Sequence, residues 1–316
     1  MPSTWKDLKP FLRWFILSAV LFFLAKTLRD HWQEVSAIQM QPAGYGWLAI
    51  ALLITLLAHL CTGWAWSWIL QSLDQPVRGA WAVRAYLKTN IAKYLPGNVW
   101  HFYGRISAAT KIGVSPEAAL LSVVLEPLLM VAAALLIALL SLQQPGMTQI
   151  GTTQIGAAQI GAIQVLPTIL LVAVLVSLHP RFLNPILARS LKLKGSATKS
   201  QTEQILRLKH YPWRSLLGEV GFLLLRSLGF CLTFRAIAPV GFEQIPLMAG
   251  SFVVAWLLGF VTPGLPGGVG VFEAVAIALL SRGFPAADLL SGVAIYRLLN
   301  TLAEGLGAGL AQGSDR

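Results

Sequence analysis

The segment from Thr262 to Glu273, TPGLPGGVGVFE, constrains the fold of this chain more than any other segment. It separates two apolar segments but cannot continue a helix, because Pro263 and Pro266 lack a backbone donor and their rings clash with the preceding turn. Backbone freedom is added by four glycines: Gly264, Gly267, Gly268 and Gly270. Irregular backbone at membrane depth persists only where protein or a wet cavity satisfies its polar groups. We therefore predict a helix break that marks a buried site, with Glu273 just beyond it.

A related break, YLPGNVWHFYGR, lies in the first half of the chain between Tyr94 and Arg105. Asn90 precedes it, and Pro96 and Gly97 occupy the expected turn. The flanking segment carries too many basic residues to span lipid, so we expect it to enter the membrane part-way and return. The chain then consists of two halves, each built around one break.

Composition indicates a polytopic membrane protein. Of the 316 residues, 56% are hydrophobic and 12% are charged, whereas a soluble domain carries about twice that charged fraction. The formal net charge of +11 is compatible with a nucleic-acid partner, but the basic residues fall in short loops between apolar segments. That pattern is expected from the positive-inside rule, and we expect no nucleic-acid partner.

We predict an all-α protein with about six full transmembrane helices and two re-entrant helical hairpins. The six expected spans are 11–28, 46–71, 117–142, 165–178, 213–238 and 286–311. Residues 143–164 are uncharged and contain the repeat TQIGT-TQIGA-AQIGA, which we interpret as a low-complexity external loop. It divides one membrane domain into a first repeat, residues 1–142, and a second repeat, residues 165–316.

The distribution of Lys and Arg predicts that both termini are cytoplasmic. The first hairpin then enters from the cytoplasm and the second from outside, so the second half is inverted relative to the first. Inverted repeats of this kind place a binding site at their interface, near the midplane of the membrane.

Four ionisable residues lie beside the breaks or one segment beyond them: Arg105, Glu126, Glu273 and Arg297. The order is Arg then Glu in the first half and Glu then Arg in the second. An inverted repeat would superpose these positions, so opposite charges are expected to pair across the interface. Ionisable groups inside a membrane are costly, and these four are interpreted either as structural ion pairs or as a head-group pathway.

Other polar residues within the spans have a simpler interpretation. Structural positions near helix ends are expected for Glu219, Arg226, Arg235 and Glu304. The histidines His59, His101 and His179 have no metal-ligand spacing, so no metal site and no cofactor are predicted. Half-helix N-termini and arginines both favour phosphate, and the expected ligand is therefore a phospholipid head group or a polyprenyl phosphate.

The motifs together resemble the flippase-like membrane domain of lysylphosphatidylglycerol synthases, over nearly the whole chain. The matching residues are Asn90, Leu95-Pro96-Gly97, Gly104-Arg105, Gly113-Val-Ser-Pro with Glu126, Pro263 to Glu273, and Tyr296-Arg297-Leu298. The resemblance implies a lipid-handling domain of the bacterial plasma membrane, which in some members moves an aminoacylated phospholipid between leaflets. Full synthases also carry a soluble aminoacyl-tRNA-dependent domain. This chain ends at Arg316, directly after its last span, so we expect that it makes no aminoacyl lipid by itself.

Two alternatives remain open at the level of sequence. One is a membrane glycosyltransferase with a polyprenyl-phosphate donor, which would use an acid of the first external loop, Asp30 or Glu34. The other is a membrane scaffold for a separate soluble transferase. Assembly into a homo-oligomer is also left open.

Overall fold

The computed structural model describes residues 29, 42–95, 99–142, 157–185, 208, 210–262 and 266–313. Within these ranges the chain forms helices and turns and contains no strand, as predicted. Four predicted features lie outside the described residues: the first span at 11–28, the acids Asp30 and Glu34, the tip of the first break at Pro96 and Gly97, and the start of the second break at Pro263 and Gly264.

The described helices follow the apolar segments closely. Those of at least ten residues are α1 (Pro42–Ser72), α2 (Gly79–Asn90), α3 (Trp100–Lys111), α4 (Pro116–Leu142), α5 (Ala157–Ser177), α6 (Trp213–Ile237), α7 (Ile245–Val261), α8 (Val271–Leu280) and α9 (Ala286–Gly313). Three short 3₁₀ turns join them at Ile91–Tyr94, Phe242–Gln244 and Pro266–Gly268.

Four helical segments in the described part of the chain are long and apolar enough to cross a membrane: Pro42–Ser72, Pro116–Ser141, Trp213–Ile237 and Phe242–Val261. This protein is therefore a multi-pass membrane protein. The first three coincide with predicted spans, whereas the fourth includes α7, which we expected to be one arm of a hairpin. Conversely, α9 has 28 residues but is too polar to belong to this group. The exact layout of six spans and two re-entrant hairpins stays a prediction.

Helix α5 begins earlier than the predicted span. We expected residues 143–164 to form a loop, but the helix starts at Ala157, so that expectation is wrong for residues 157–164. The segment AAQIGAIQ contains no charge and no proline, and alanine is the best helix former. Nothing in this segment stops the helix from extending toward its N-terminus.

Both predicted helix breaks are confirmed in the described residues. Helix α2 ends at Asn90 and α3 begins at Trp100, while α7 ends at Val261 and α8 begins at Val271. In the second break Gly268 has φ +67°, and a Cβ built on it would lie 2.8 Å from the backbone of Gly259. Only glycine therefore allows this turn to lie directly on α7.

The two halves share one order of elements. A long helix is followed by a shorter helix, a break, a short helix and another long helix, as α1 to α4 and again as α6 to α9. The long leading helices α1 and α6 pack along each other. A Cβ on Gly218 would lie only 2.6 Å from the Cβ of Ala65, so this glycine permits the close approach that joins the halves.

An aromatic cluster forms the core of the second half. The ring of Phe230 lies 5.3 Å from Phe252 and 5.2 Å from Tyr296, between ring centroids. Each of these side chains is almost completely buried, and burying a large apolar side chain stabilises a fold by about 1.5–3 kcal/mol relative to exposure. This core fixes α9 against α6 and α7, and thereby positions the polar residues of α9.

Candidate functional site: a basic cavity between two helix breaks

A cavity of about 360 Å³ lies where the two breaks meet. The turn Ile91–Tyr94 and the turn Pro266–Gly268 contact each other beside it. Four basic side chains line it, Lys93, Arg105, Arg226 and Arg297, together with one acid, Glu126. Its walls are largely aromatic and include Tyr86, Tyr94, Phe222, Trp256, Phe272 and Tyr296. The site is therefore basic, aromatic and built from both halves.

The first ion pair joins Arg105 of α3 to Glu126 of α4, and both side chains are only 2% exposed. The Tyr86 hydroxyl donates a hydrogen bond of 2.9 Å to Oε1 of the same carboxylate. The tyrosine ring also stacks under the guanidinium, with its centroid 4.0 Å from Cζ of Arg105. Nε of Arg105 has no hydrogen-bond partner among the described residues, so one donor of this arginine is unused.

The second ion pair joins Arg297 of α9 to Glu273 of α8, with Nε and Oε1 2.5 Å apart. The remaining guanidinium nitrogens donate to the carbonyl oxygens of Gly267, at 2.7 Å, and Gly268, at 3.1 Å. The other oxygen of Glu273 accepts the backbone N–H of Gly270 at 2.7 Å, which caps the start of α8. Arg297 therefore satisfies carbonyl groups that the break leaves without a helical partner, and Glu273 already occupies a helix-end amide that we expected to attract an anion.

The predicted pairing across the interface is wrong for these four residues. Arg105 pairs with Glu126 in the first half, and Glu273 pairs with Arg297 in the second. The reason is local: each pair comes from two consecutive helices that pack side by side. The exchange of sign between the halves is retained, and each of these two ion pairs lies within one half.

A different ion pair connects the halves. Nζ of Lys93, in the turn after α2, lies 2.6 Å from Oε1 of Glu304 on α9. The same oxygen lies 3.3 Å from Nε2 of His59 and accepts a hydrogen bond of 3.1 Å from Asn300. We expected Glu304 near a helix end, but it is buried in the interior of α9. Lys93 was interpreted only as one of the basic residues that keep its segment out of lipid.

Arg226 also contradicts the expected helix-end position. It lies near the middle of α6, is 6% exposed and lines the cavity. Its Nε donates a hydrogen bond of 3.1 Å to the Tyr296 hydroxyl, and its Cζ lies 5.6–5.9 Å from the ring centroids of Phe222, Phe252 and Tyr296. Within the described part of the chain, no carboxylate lies within ion-pair distance of Arg226. The signal in the sequence was its central position in an apolar span.

The remaining predicted residues lie in the cavity wall, in the second break, or away from the cavity. Asn90, Gly267 and Gly268 line the cavity, and Pro266 begins the turn in the second break. Arg235 is exposed and contacts the ring of Trp47, away from the cavity. Over the residues described, no group of three His, Cys, Asp or Glu side chains is arranged to hold a metal ion.

Several buried polar atoms around the cavity have no hydrogen-bond partner among the described residues. They include Nδ1 of His101, Nε of Arg105 and Oδ1 of Asn300, whose residues all line the cavity. Buried polar atoms are normally paired with protein or ordered water. The cavity therefore presents both donors and acceptors to a polar ligand or to water.

The chain matches a known protein family. The model of a family described as the lysylphosphatidylglycerol synthase TM region matches residues 12–306. The match covers both helix breaks and every charged residue of the cavity. A search of curated proteins found no match to this chain.

Proposed function

Because this chain belongs to the lysylphosphatidylglycerol synthase TM region family, as its motifs predicted, we propose that it binds the anionic head group of a phospholipid in the cavity and moves the lipid between leaflets. The setting that we propose is the bacterial inner membrane, with both termini in the cytoplasm. A polyprenyl phosphate offers the same phosphate chemistry, so binding assays have to compare the two lipids.

The observation that supports this proposal most is that the Arg226 guanidinium is buried in the cavity wall with no carboxylate at ion-pair distance among the described residues. A buried guanidinium with no carboxylate within ion-pair distance costs free energy, and a charge at the centre of a membrane costs at least about 2.5 kcal/mol. A phosphate group would offset that cost, since arginine binds phosphate through charge-assisted and often bidentate hydrogen bonds. Its position beside Tyr296, in a basic cavity, supports an anion as the ligand.

The dimensions of the cavity support a head group rather than a whole lipid. Ligand pockets range from about 300 to 1,000 Å³, and this cavity of about 360 Å³ lies near the lower limit. The acyl chains would then remain outside the cavity. In this arrangement the aromatic walls exclude water from the phosphate, which strengthens its attraction to Arg226 and Arg105.

Movement between leaflets requires that the cavity open to each side in turn. We propose that the two halves rock about the contact between α1 and α6, because each half keeps its own ion pair during such a motion. Lys93 and Glu304 bridge the halves, and this bridge would have to lengthen or change partner. An arriving phosphate would compete with Glu304 for Lys93 and with Glu126 for Arg105.

The proposal is tested by reconstitution into phosphatidylglycerol vesicles that contain a trace of fluorescent phosphatidylglycerol, with an impermeant quencher reporting transbilayer movement. Arg226→Gln is expected to slow protein-dependent movement roughly tenfold to hundredfold, the equivalent of one charged hydrogen bond. Arg226→Lys, which keeps the charge, is expected to retain part of the rate. Arg235→Gln is the matched control, since Arg235 is exposed on the same helix. Movement at the wild-type rate in Arg226→Gln would overturn the proposal.

A further inference from the structure

A second buried carboxyl group lies close to the cavity but outside it. Glu219 of α6 is 0% exposed. Oγ1 of Thr62 lies 3.0 Å from each of its carboxyl oxygens. In the described part of the chain, no basic side chain lies within ion-pair distance of Glu219. An ionised carboxylate in this position would be buried with a single hydroxyl donor and no counter-ion, which is strongly unfavourable.

Two hydroxyl groups connect Glu219 to the first ion pair. Oγ1 of Thr62 lies 3.4 Å from the hydroxyl oxygen of Tyr86. The Tyr86 hydroxyl donates a hydrogen bond of 2.9 Å to Oε1 of Glu126, and Glu126 pairs with Arg105. The connection runs across four helices, from α6 through α1 and α2 to α4. It joins the carboxyl group of Glu219, which has no cation at ion-pair distance, to that of Glu126, which pairs with Arg105.

Counting hydrogens along this connection assigns its protonation state. If Glu219 carries a proton, its O–H donates to Thr62, Thr62 donates to Tyr86, and Tyr86 donates to Glu126. Each hydroxyl then has one acceptor, and the only ionised carboxylate is the one beside Arg105. If Glu219 is ionised, Thr62 has a single hydrogen to offer to both Glu219 and Tyr86, and the charge on Glu219 is uncompensated.

We propose that Glu219 is a proton-binding site and that Thr62 and Tyr86 form a path for protons between Glu219 and Glu126. One transfer moves the Glu219 proton to Thr62, the Thr62 proton to Tyr86 and the Tyr86 proton to Glu126. It leaves Glu219 ionised and Glu126 neutral, with no change in total charge. Chains of buried Asp, Glu and His side chains serve as proton relays in membrane pumps and transporters.

Through this path, binding of a lipid head group would be coupled to protonation of Glu126. This coupling rests on the proposed function. When a phosphate pairs with Arg105, Glu126 loses its counter-charge and becomes more favourable as a neutral acid. Glu126 would take the proton through the path, and Glu219 would be protonated again from solution. Binding of one anionic head group would therefore be accompanied by uptake of one proton.

The groups that face Glu219 support this assignment. Helix α1 contributes Thr62 and Cys61, whose thiol donates to the carbonyl oxygen of Gly218. Helix α2 contributes Tyr86. Beyond ion-pair distance, Glu219 also interacts electrostatically with Glu126 of α4 and Arg105 of α3. Helices α5 and α7 carry no titratable side chain in their sequences, and on α9 the buried acid, Glu304, is paired with Lys93.

Infrared spectroscopy of the full chain in a detergent without ester groups tests the proton site without any ligand, because a neutral carboxyl has a carbonyl band that an ionised one lacks. At pH 7 the wild type is expected to show this band, Glu219→Gln to lose it, and Thr62→Val to shift it through loss of the hydrogen bond. Glu126→Gln and the exposed control Glu243→Gln are expected to keep it. Absence of the band in the wild type, or its persistence in Glu219→Gln, would overturn the proposal.

The coupling is tested in the same samples after ether-linked phosphatidylglycerol, which has no ester carbonyl, is added, with ether-linked phosphatidylcholine as the control lipid. We expect a second neutral-carboxyl band with phosphatidylglycerol in the wild type and none in Glu126→Gln. Native mass spectrometry reports whether the lipid is bound. Bound phosphatidylglycerol without a second band would refute the coupling, whereas absence of bound lipid would refute the proposed function and leave the proton site standing.

Discussion

The two helix breaks carry the same charges in opposite order but use them differently. In the first break Arg105 and Glu126 are 2% exposed, and Nε of Arg105 has no partner among the described residues. In the second break Arg297 and Glu273 are 12% and 15% exposed, and every guanidinium nitrogen of Arg297 donates to a carboxylate or a glycine carbonyl. All three nitrogens of the second guanidinium have partners within its own break and ion pair, whereas the first keeps one nitrogen without a partner among the described residues.

The difference follows from the local sequences. The second break is rich in glycine, and its turn leaves the carbonyl groups of Gly267 and Gly268 without helical partners, so Arg297 is needed to satisfy them. Arg105 instead interacts with Tyr86 and with the acid on the next helix, Glu126. We propose that the second ion pair has a structural role and that the first contributes to the binding site.

The largest effect is expected where the two breaks are tied together. Lys93→Met should lower the free energy of unfolding by about 3–4 kcal/mol, because it leaves the buried carboxylate of Glu304 without its ammonium partner. The double variant Lys93→Met/Glu304→Gln should recover most of the loss, since no unpaired charge remains. Denaturant unfolding in detergent measures both. A double variant no more stable than Lys93→Met would contradict the assigned pairing.

The next largest loss of stability is expected at Arg297, which contacts the second break. Arg297→Gln should lower the free energy of unfolding by about 2–3 kcal/mol, because the ion pair and two carbonyl contacts are lost. Thermal unfolding in detergent reports the change, with the exposed Arg235→Gln as the control. If Arg297→Gln melts at the same temperature as that control, the second arginine does not hold the break.

A smaller loss of stability is expected at Gly268, where the turn of the second break requires glycine. Gly268→Ala should lower the free energy of unfolding by about 2 kcal/mol, because the residue has a positive φ and its Cβ would clash with Gly259. Gly305→Ala is the matched control. Gly305 lies inside α9 with open space around its Cβ, so this change should be neutral or stabilising by up to about 1 kcal/mol. Equal effects of the two substitutions would contradict the described turn.

The smallest effect probes the first break. Tyr86→Phe removes the hydroxyl that bonds to Glu126 but keeps the ring under Arg105. We expect a loss of about 1 kcal/mol in the free energy of unfolding. Tyr103→Phe, at an exposed tyrosine of α3, should have no measurable effect. If Tyr103→Phe lowered the free energy of unfolding as much as Tyr86→Phe, the hydrogen bond to Glu126 would make no specific contribution to stability.

Much of this architecture could be predicted from residue chemistry alone. Proline and glycine have local effects on the backbone, so Pro263, Pro266 and the neighbouring glycines indicated the second break without any knowledge of packing. The charged residues beside the breaks were also recognisable, because ionisable groups are rare in apolar segments. Their pairing partners were not, since a periodic pattern does not say which helix faces which.

Where an expectation was wrong, the partners of the residue are set by tertiary contacts that the sequence does not reveal. Arg226 lies in the middle of α6, but only the packing of α6 against α9 shows that it meets Tyr296 instead of an acid. Lys93 and Glu304 are 211 positions apart in sequence, and no local rule connects them. Helix α5 extends into the repeat segment because an uncharged, alanine-containing stretch has no signal that ends a helix.

The central claim is that the cavity between the breaks holds an anionic head group through Arg226. Native mass spectrometry of the protein, incubated with equal amounts of phosphatidylglycerol and phosphatidylcholine, tests it most directly. We predict that the wild type and Arg235→Gln retain phosphatidylglycerol preferentially and that Arg226→Gln loses this preference. Equal retention of phosphatidylglycerol by Arg226→Gln and the wild type would contradict the account.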